Sequence, residues 1–222
     1  MIDGPAEKSQ QYWLRPLGFD DIPAIAKWME NVEDLAMFDR HLSVPLSKAA
    51  MEEEWRNDIA AREPRTGYWF RIEDTQGETF GMAGITGINH VHGDALIPIF
   101  VARAARRRGI GLRVRALLLD LAFDQLRLVR ITSLHRADNE ASHALNEICG
   151  FKKEGCLRNG CFAGGRHIDQ MIYGVLADEW RGHRDALRRR VDSKVVITMG
   201  DRPSGSWSWP RLPEAGAAIP AE

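Results

Sequence analysis

Residues 106 to 111 read Arg-Arg-Arg-Gly-Ile-Gly, between an apolar run ending at Val101 and a helical pattern beginning near Leu112. Such a junction suits an anion. Gly109 and Gly111 let a phosphate approach the backbone, the first amides of the following helix have no intrahelical acceptor, and Arg106, Arg107 and Arg108 add positive charge. Spacing excludes two common phosphate loops: Gly111 is followed by Leu112 and Arg113 in place of Lys-Ser or Lys-Thr, and no G-x-G-x-x-G is present. A basic helix cap in solvent would share these residues, so the assignment turns on what surrounds them.

The β-branched run Val129 to Leu134 reads as a strand. Asp138-Asn139-Glu140-Ala141-Ser142 then opens a helix with polar caps, and Gly150 of Cys149-Gly150-Phe151 fits a left-handed C-cap. The order strand, Arg-x-x-Gly-x-Gly, helix, strand, Asn-x-x-Ser, helix, Gly-Phe resembles the core of the GNAT superfamily, the acyl-CoA-dependent N-acyltransferases, over roughly eighty residues. Lys153-Glu154-Gly155, Arg158, Gly165, Asp169 and Asp178-Glu179-Trp180 look like its RimJ/RimL branch, which acetylates protein N-termini and assorted small amines.

The resemblance implies an α/β (α+β) domain of GNAT fold: a mixed, mostly antiparallel twisted sheet, splayed at its central strands, with helices on both faces. It implies acetyl-CoA, or another acyl-CoA, as donor. The loop residues Arg106, Arg107, Arg108, Gly109, Ile110 and Gly111 would hold the pyrophosphate. Ile99, Phe100 and Val101 of the preceding strand, with Asn139, Ser142, His143 and Asn146 of the later helix, would line the rest of the cofactor. Asn139 is equally suited to capping its helix. The implied activity is direct acetyl transfer to a primary amine, at a protein N-terminus or on a small molecule such as a polyamine, aminoglycoside or amino sugar. A catalytically silent acyl-CoA-binding or partner-binding module is the alternative from another class.

Transfer needs a neutral amine, a polarised thioester carbonyl and a proton for the leaving thiolate. Many family members place a tyrosine seven residues after the Asn of Asn-x-x-Ser; here that residue is Asn146. A carboxylate sometimes used as base on the cofactor strand would align near Leu96. The remaining candidates are His90, His92 and Asp94 before that strand, and Asp39 and His41 on the acceptor side, of which His41 and Asp94 are taken as acid–base groups. The resemblance implies, by position alone, that Phe38, Asp39 and Arg40 belong to the acceptor pocket. If no side chain serves, alignment alone contributes up to about 7–11 kcal/mol in favourable cases.

These groups need one domain to position them, and 222 residues with 44% hydrophobic content can bury one substantial core. Thirty basic against 31 acidic residues leave a formal charge of −1, so no global field recruits nucleic acid or an anionic membrane. Cys149, Cys156 and Cys161 lack zinc-ligand spacing, no metal site is expected, and the odd count without an apolar leader suits the cytoplasm. No apolar run reaches membrane-spanning length. Residues 1–10 read as a disordered leader, 11–180 as the acetyltransferase domain and 181–222 as a C-terminal extension; a monomer or homodimer is expected.

Within the domain, residues 12–17 read as a first strand, and Asp20 to Glu30 as a helix burying Ile22, Ile25, Trp28 and Met29. Residues 31–46 read as an irregular connection. A helix from Ser47 turns Trp55 and Ile59 inward, and residues 68–72 and 80–88 form a hairpin around Asp74–Gly77. Ala95 to Val101 reads as one strand despite Pro98; the resemblance implies a bulge on it, which would place Pro98 where ladder pairing is already broken. In the extension, residues 185–191 continue a basic helix, 194–199 form a strand, and Trp207 and Trp209 cover the protein's own surface or that of a second subunit.

Overall fold

In the computed structural model, which describes residues 9–38, 44–60, 63–200 and 207–210, buried Tyr12 and Leu14 alternate with less buried neighbours in strand β1 (Gln10–Pro16). Helix α1 (Ile22–Met29) carries Pro23 in its first turn and buries Ile22, Ile25 and Met29, with Trp28 half-buried beside them. The expected irregular connection contains a second helix, α2 (Val32–Phe38). Asn31 starts it by accepting from Asp34 N at 3.0 Å, and Leu35 anchors it. Ser47 Oγ accepts from Ala50 N at 3.3 Å and opens α3 (Lys48–Ile59), which buries Met51 and Trp55. These three helices form one layer, packed through Met82 and Phe100 on the sheet.

The hairpin forms as β2 (Gly67–Asp74) and β3 (Thr79–Asn89). The expected single strand 95–101 does not. It divides into β4 (Asp94–Leu96) and β5 (Ile99–Val101), because Pro98 between them has no N–H to offer a ladder. β4 pairs with β3 on one side and runs parallel to β6 (Arg130–Arg136) on the other, Asp94 beside Arg130 and Leu96 beside Thr132. Among the described residues β5 pairs only with β3, Val101 facing Gly81 and Ile99 facing Ala83. Beyond Thr132, β6 pairs among the described residues only with β8 (Arg166–Leu176). The sheet therefore opens between β5 and β6. The bulge expected on the cofactor strand lies on β3, where the register shifts between Thr86 and Asn89 and Gly87 has φ +61°.

On the other face lie α4 (Ile110–Asp120), which continues through a wide π-type turn to Gln125, α5 (Glu140–Ile148) and α6 (Ala177–Arg190). The outer hairpin is β8 with β7 (Lys152–Ala163). Sheet order is β10-β9-β1-β2-β3-β4-β6-β8-β7, with β5 on β3; β1/β9 and β4/β6 are the parallel pairs. The described part of the expected extension is built into this same sheet: β9 (Val195–Met199) lies along β1, and β10 (Ser208–Trp209) pairs with β9. Trp209 has no exposed surface. Its indole and that of Trp180 donate to the buried carboxylate of Asp120 at 3.1 and 2.9 Å, where Arg184 and Arg188 also converge at 3.1 and 2.6 Å.

Candidate active site

The turn from β5 to α4 has the backbone its glycines imply. Gly109 caps α4 in the left-handed region at φ +77°, and a Cβ there would run into Arg113 Nη1. Arg107 is left-handed too, at φ +64°. The bonding of α4 begins with Arg113 N donating to Gly109 O at 3.4 Å, so among the described residues the amides of Ile110, Gly111 and Leu112 have no carbonyl partner. A Cβ on Gly111 would have no atom within 4 Å. Free amides beside open space at a helix start are what an oxyanion requires.

The three arginines are not equivalent. Arg106 folds back, donating through Nε to Val101 O at 2.8 Å and through Nη1 to Asp34 at 3.1 Å, with its guanidinium 5.6 Å from the Phe100 ring centre. It ties the loop to α2. Burial works to raise the Asp34 pKa, but hydrogen bonds from Arg103 and Arg106 outweigh it and hold the carboxyl below the usual range. Arg108 donates to Ala104 O at 2.9 Å. Arg107 is exposed and has no ion pair among the described residues. Arg107, Arg108, Gly109 and Arg113 line an open cleft of about 840 Å³, with Gln76 and Lys194 across from them.

On α5, Asn139 Oδ1 accepts from Ser142 N at 3.0 Å, so the capping role is filled. His143, exposed, forms a chain: Tyr173 Oη lies 2.8 Å from Nδ1, and Glu147 lies 3.2 Å from Nε2. Asn146, expected beside the cofactor, is fully enclosed. Its Oδ1 accepts from Arg115 Nη1 at 2.6 Å and its Nδ2 donates to Ser133 Oγ at 3.1 Å. Arg115 is 5% exposed, lies 5.4 Å over the Phe151 ring, and has its pKa drawn down by burial. The neighbouring Cys149 thiol is pushed up to about 12 by burial, which suits a packed side chain and not a nucleophile.

Sequence reasoning missed Tyr173, Arg115 and His135. Only strand alternation, with Tyr173 and Val175 buried on one face of β8, hinted at the first. Along β5, Phe100 enters the α1–α3 layer, stacked 5.6 Å from Trp28 and edge-on 5.7 Å from Phe38. Ile99 and Val101 pack toward α4. Phe38 also lies 6.4 Å from Trp69, within that aromatic layer. Asp94 opens β4, where the strand is paired on both sides, about 10 Å of extended chain before the sheet opens. His90 bonds the carbonyl of Arg65 at 2.8 Å and His92 is exposed, so the structure does not bring these groups to the opening. Asp39, Arg40 and His41 lie outside the described residues.

Residues 11–152 match the model of the acetyltransferase (GNAT) domain. The chain belongs to the GNAT acetyltransferase family. It is 32% identical over 108 residues to the Bacillus subtilis (strain 168) protein named "Putative ribosomal N-acetyltransferase YdaF", covering 49% of this chain and 59% of that protein, which supports the RimJ/RimL-like branch. It is 24% identical over 174 residues to p20, an uncharacterized N-acetyltransferase of Bacillus licheniformis, over 78% of this chain and 97% of that one. The crystal structure of spermidine N-acetyltransferase from Vibrio cholerae in complex with CoA and spermine superposes with a TM-score of 0.70 at 26% identity, over 77% of this chain and 98% of that one.

Acetyl-CoA is the donor of this family, and two observations fit it. The free amides of residues 110–112, with the open space at Gly111, suit a pyrophosphate; the edges of β5 and of Ser133–Arg136, unpaired toward each other, suit an extended amide-bearing arm. Both features are built mainly from backbone.

Proposed function

We propose that this protein transfers an acetyl group from acetyl-CoA directly to a primary amine, at a protein N-terminus or on a small molecule. The observation that carries the reading is the opening between β5 and β6, which runs into a glycine turn with three unpaired amides. Bound acetyl-CoA supplies an activated thioester. The α4 amides and Arg107 hold its phosphates, and the edges of β5 and β6 align the arm, so positioning is the main contribution this chain makes. Tyr173, hydrogen-bonded to His143 and through it to Glu147, is a hydroxyl with a path to solvent for protons near the reaction. Direct transfer needs no acyl-enzyme, and burial keeps the Cys149 thiol protonated and out of that role.

Among acceptors, the names of the spermidine acetyltransferase relatives favour a polyamine. The carboxylates of α2 favour a less charged amine: Asp34 is already paired with Arg103 and Arg106, and Glu33 lies 3.3 Å from Arg103. Our reading therefore ranks a peptide N-terminus or monoamine first, in a cytoplasmic protein that is a monomer or homodimer. Calorimetry with acetyl-CoA tests the donor, and absence of binding at millimolar concentration would overturn the proposal. Thiol release measured over peptides, spermidine and amino sugars then selects the acceptor, and turnover itself separates an enzyme from a silent acyl-CoA-binding module.

A further inference from the structure

The cluster around Asn146 obeys a hydrogen-bond logic with one end left open. Arg115 can only donate, so the atom of Asn146 that it meets at 2.6 Å is the carbonyl Oδ1, and the amide Nδ2 turns to the sheet. Nδ2 can only donate as well. It reaches Ser133 Oγ at 3.1 Å and His135 Nδ1 at 3.4 Å, so the imidazole accepts at Nδ1 and, when neutral, carries its proton on Nε2. Burial, followed by the charges of His143 and Arg115, pushes the His135 pKa down to about 4, which keeps the ring neutral at physiological pH.

His135 Nε2 is buried, and among the described residues no hydrogen-bond partner meets it. Buried donors in this condition are rare and call for an explanation. The nearest hydroxyl-bearing ring, Tyr173, lies 5.3 Å away between centroids and has its Oη engaged by His143. His135 stands on the stretch of β6 that faces β5 without pairing to it, where the donor's arm fits. The arm of an acyl-CoA offers carbonyl oxygens from its amides and its thioester, and a carbonyl oxygen is what an N–H needs.

We propose that the Nε2–H of His135, its tautomer fixed by the Arg115–Asn146 pair, donates a hydrogen bond to a carbonyl oxygen of the acyl-CoA arm. The inference rests on the acetyl-CoA reading above. His135 is the contact, while Asn146 and Arg115 are positioning residues that decide which imidazole nitrogen carries the proton.

Two-bond nitrogen–proton NMR on the histidine rings of the free protein at pH 7 should show His135 as the Nε2–H tautomer, and saturating acetyl-CoA should move that resonance. Asn146→Leu, which removes the donor to Nδ1, should turn the ring into a tautomer mixture. By calorimetry His135→Phe, which keeps a ring against Tyr173, should bind acetyl-CoA about tenfold more weakly, in line with one lost buried hydrogen bond. An Nδ1–H tautomer, or a resonance that stays put while calorimetry records binding, overturns the proposal; a trapped water would give the second result. Wild-type protein that binds no acetyl-CoA overturns the donor reading and the contact together. The NMR measurements use unmodified protein, so they decide the matter even if His135→Phe fails to fold.

Discussion

Substituting Gly111 should make the protein more stable and its donor site weaker at once. A Cβ added there meets no atom within 4 Å, and the residue sits in the first turn of α4 with an amide that no carbonyl takes. Gly111→Ala removes backbone freedom from the unfolded chain at a helical position, a gain of about 0.5–1 kcal/mol, or roughly 1–4 °C in melting temperature for a chain of this size. The added carbon points into the space where a phosphate would meet the amides. Each amide bond to an ionised oxygen that is lost costs about 1.5–3 kcal/mol, so Gly111→Val should bind acetyl-CoA roughly 10- to 150-fold more weakly. Thermal unfolding without ligand and calorimetry at fixed ionic strength read the two effects separately. Wild-type affinity in Gly111→Val, in a protein that melts no lower than the parent, would show that the anion does not lie at this helix start. Gly109→Val cannot make the separation, because its left-handed φ of +77° and the Arg113 contact add strain in the protein itself.

Asp120→Ala strands two indole N–H groups and the guanidinium of Arg188 in the core. A loss of about 3–5 kcal/mol follows, or roughly 6–20 °C by tryptophan fluorescence, and a fall under 2 °C would contradict the hub described here. The His135 pKa of about 4 lies below its unfolded value of about 6.5, so its contribution to stability is complete above pH 6.5 and is lost as pH falls toward 4. Urea midpoints of His135→Phe should therefore vary less than those of wild type across that window. Cys149, with its thiol pushed up to about 12, should resist alkylation at pH 8 in the folded protein while exposed Cys156 reacts, as peptide mass mapping would report.

The glycine turn at the start of α4 was legible because each of its signals is local: glycines at a turn, a strand before it, a helix after it, and Asn139 and Gly150 marking the ends of the next helix. α2 escaped because seven residues are too few for a helical period to stand out, and its start depends on one Asn31 side chain. Pro98 announced an irregular strand, yet the bulge is set by Gly87 on the neighbouring strand, which no reading of residues 95–101 alone could locate. Asp94 looked close to the chemistry because it is close in sequence, but extended chain carries it away from the opening. The Arg115–Asn146–His135 cluster joins α4, α5 and β6, with the first two partners 31 positions apart in sequence, and such contacts leave no mark on local pattern.

The parallel pairing of β1 with β9 also bears on how the chain is made. Arg15 meets the carbonyl of Gly200 across 185 residues, so a ribosome working at about 5–20 residues per second completes that pair roughly 10–40 s after β1 emerges. Until then the outer edge of β1 has exposed amides and carbonyls of the kind that recruit a strand from another molecule. The core space filled by Trp209 waits just as long. β9 and β10 thus protect β1, and stalled or nicked chains lacking residues 195–209 should be the ones that chaperones must hold apart.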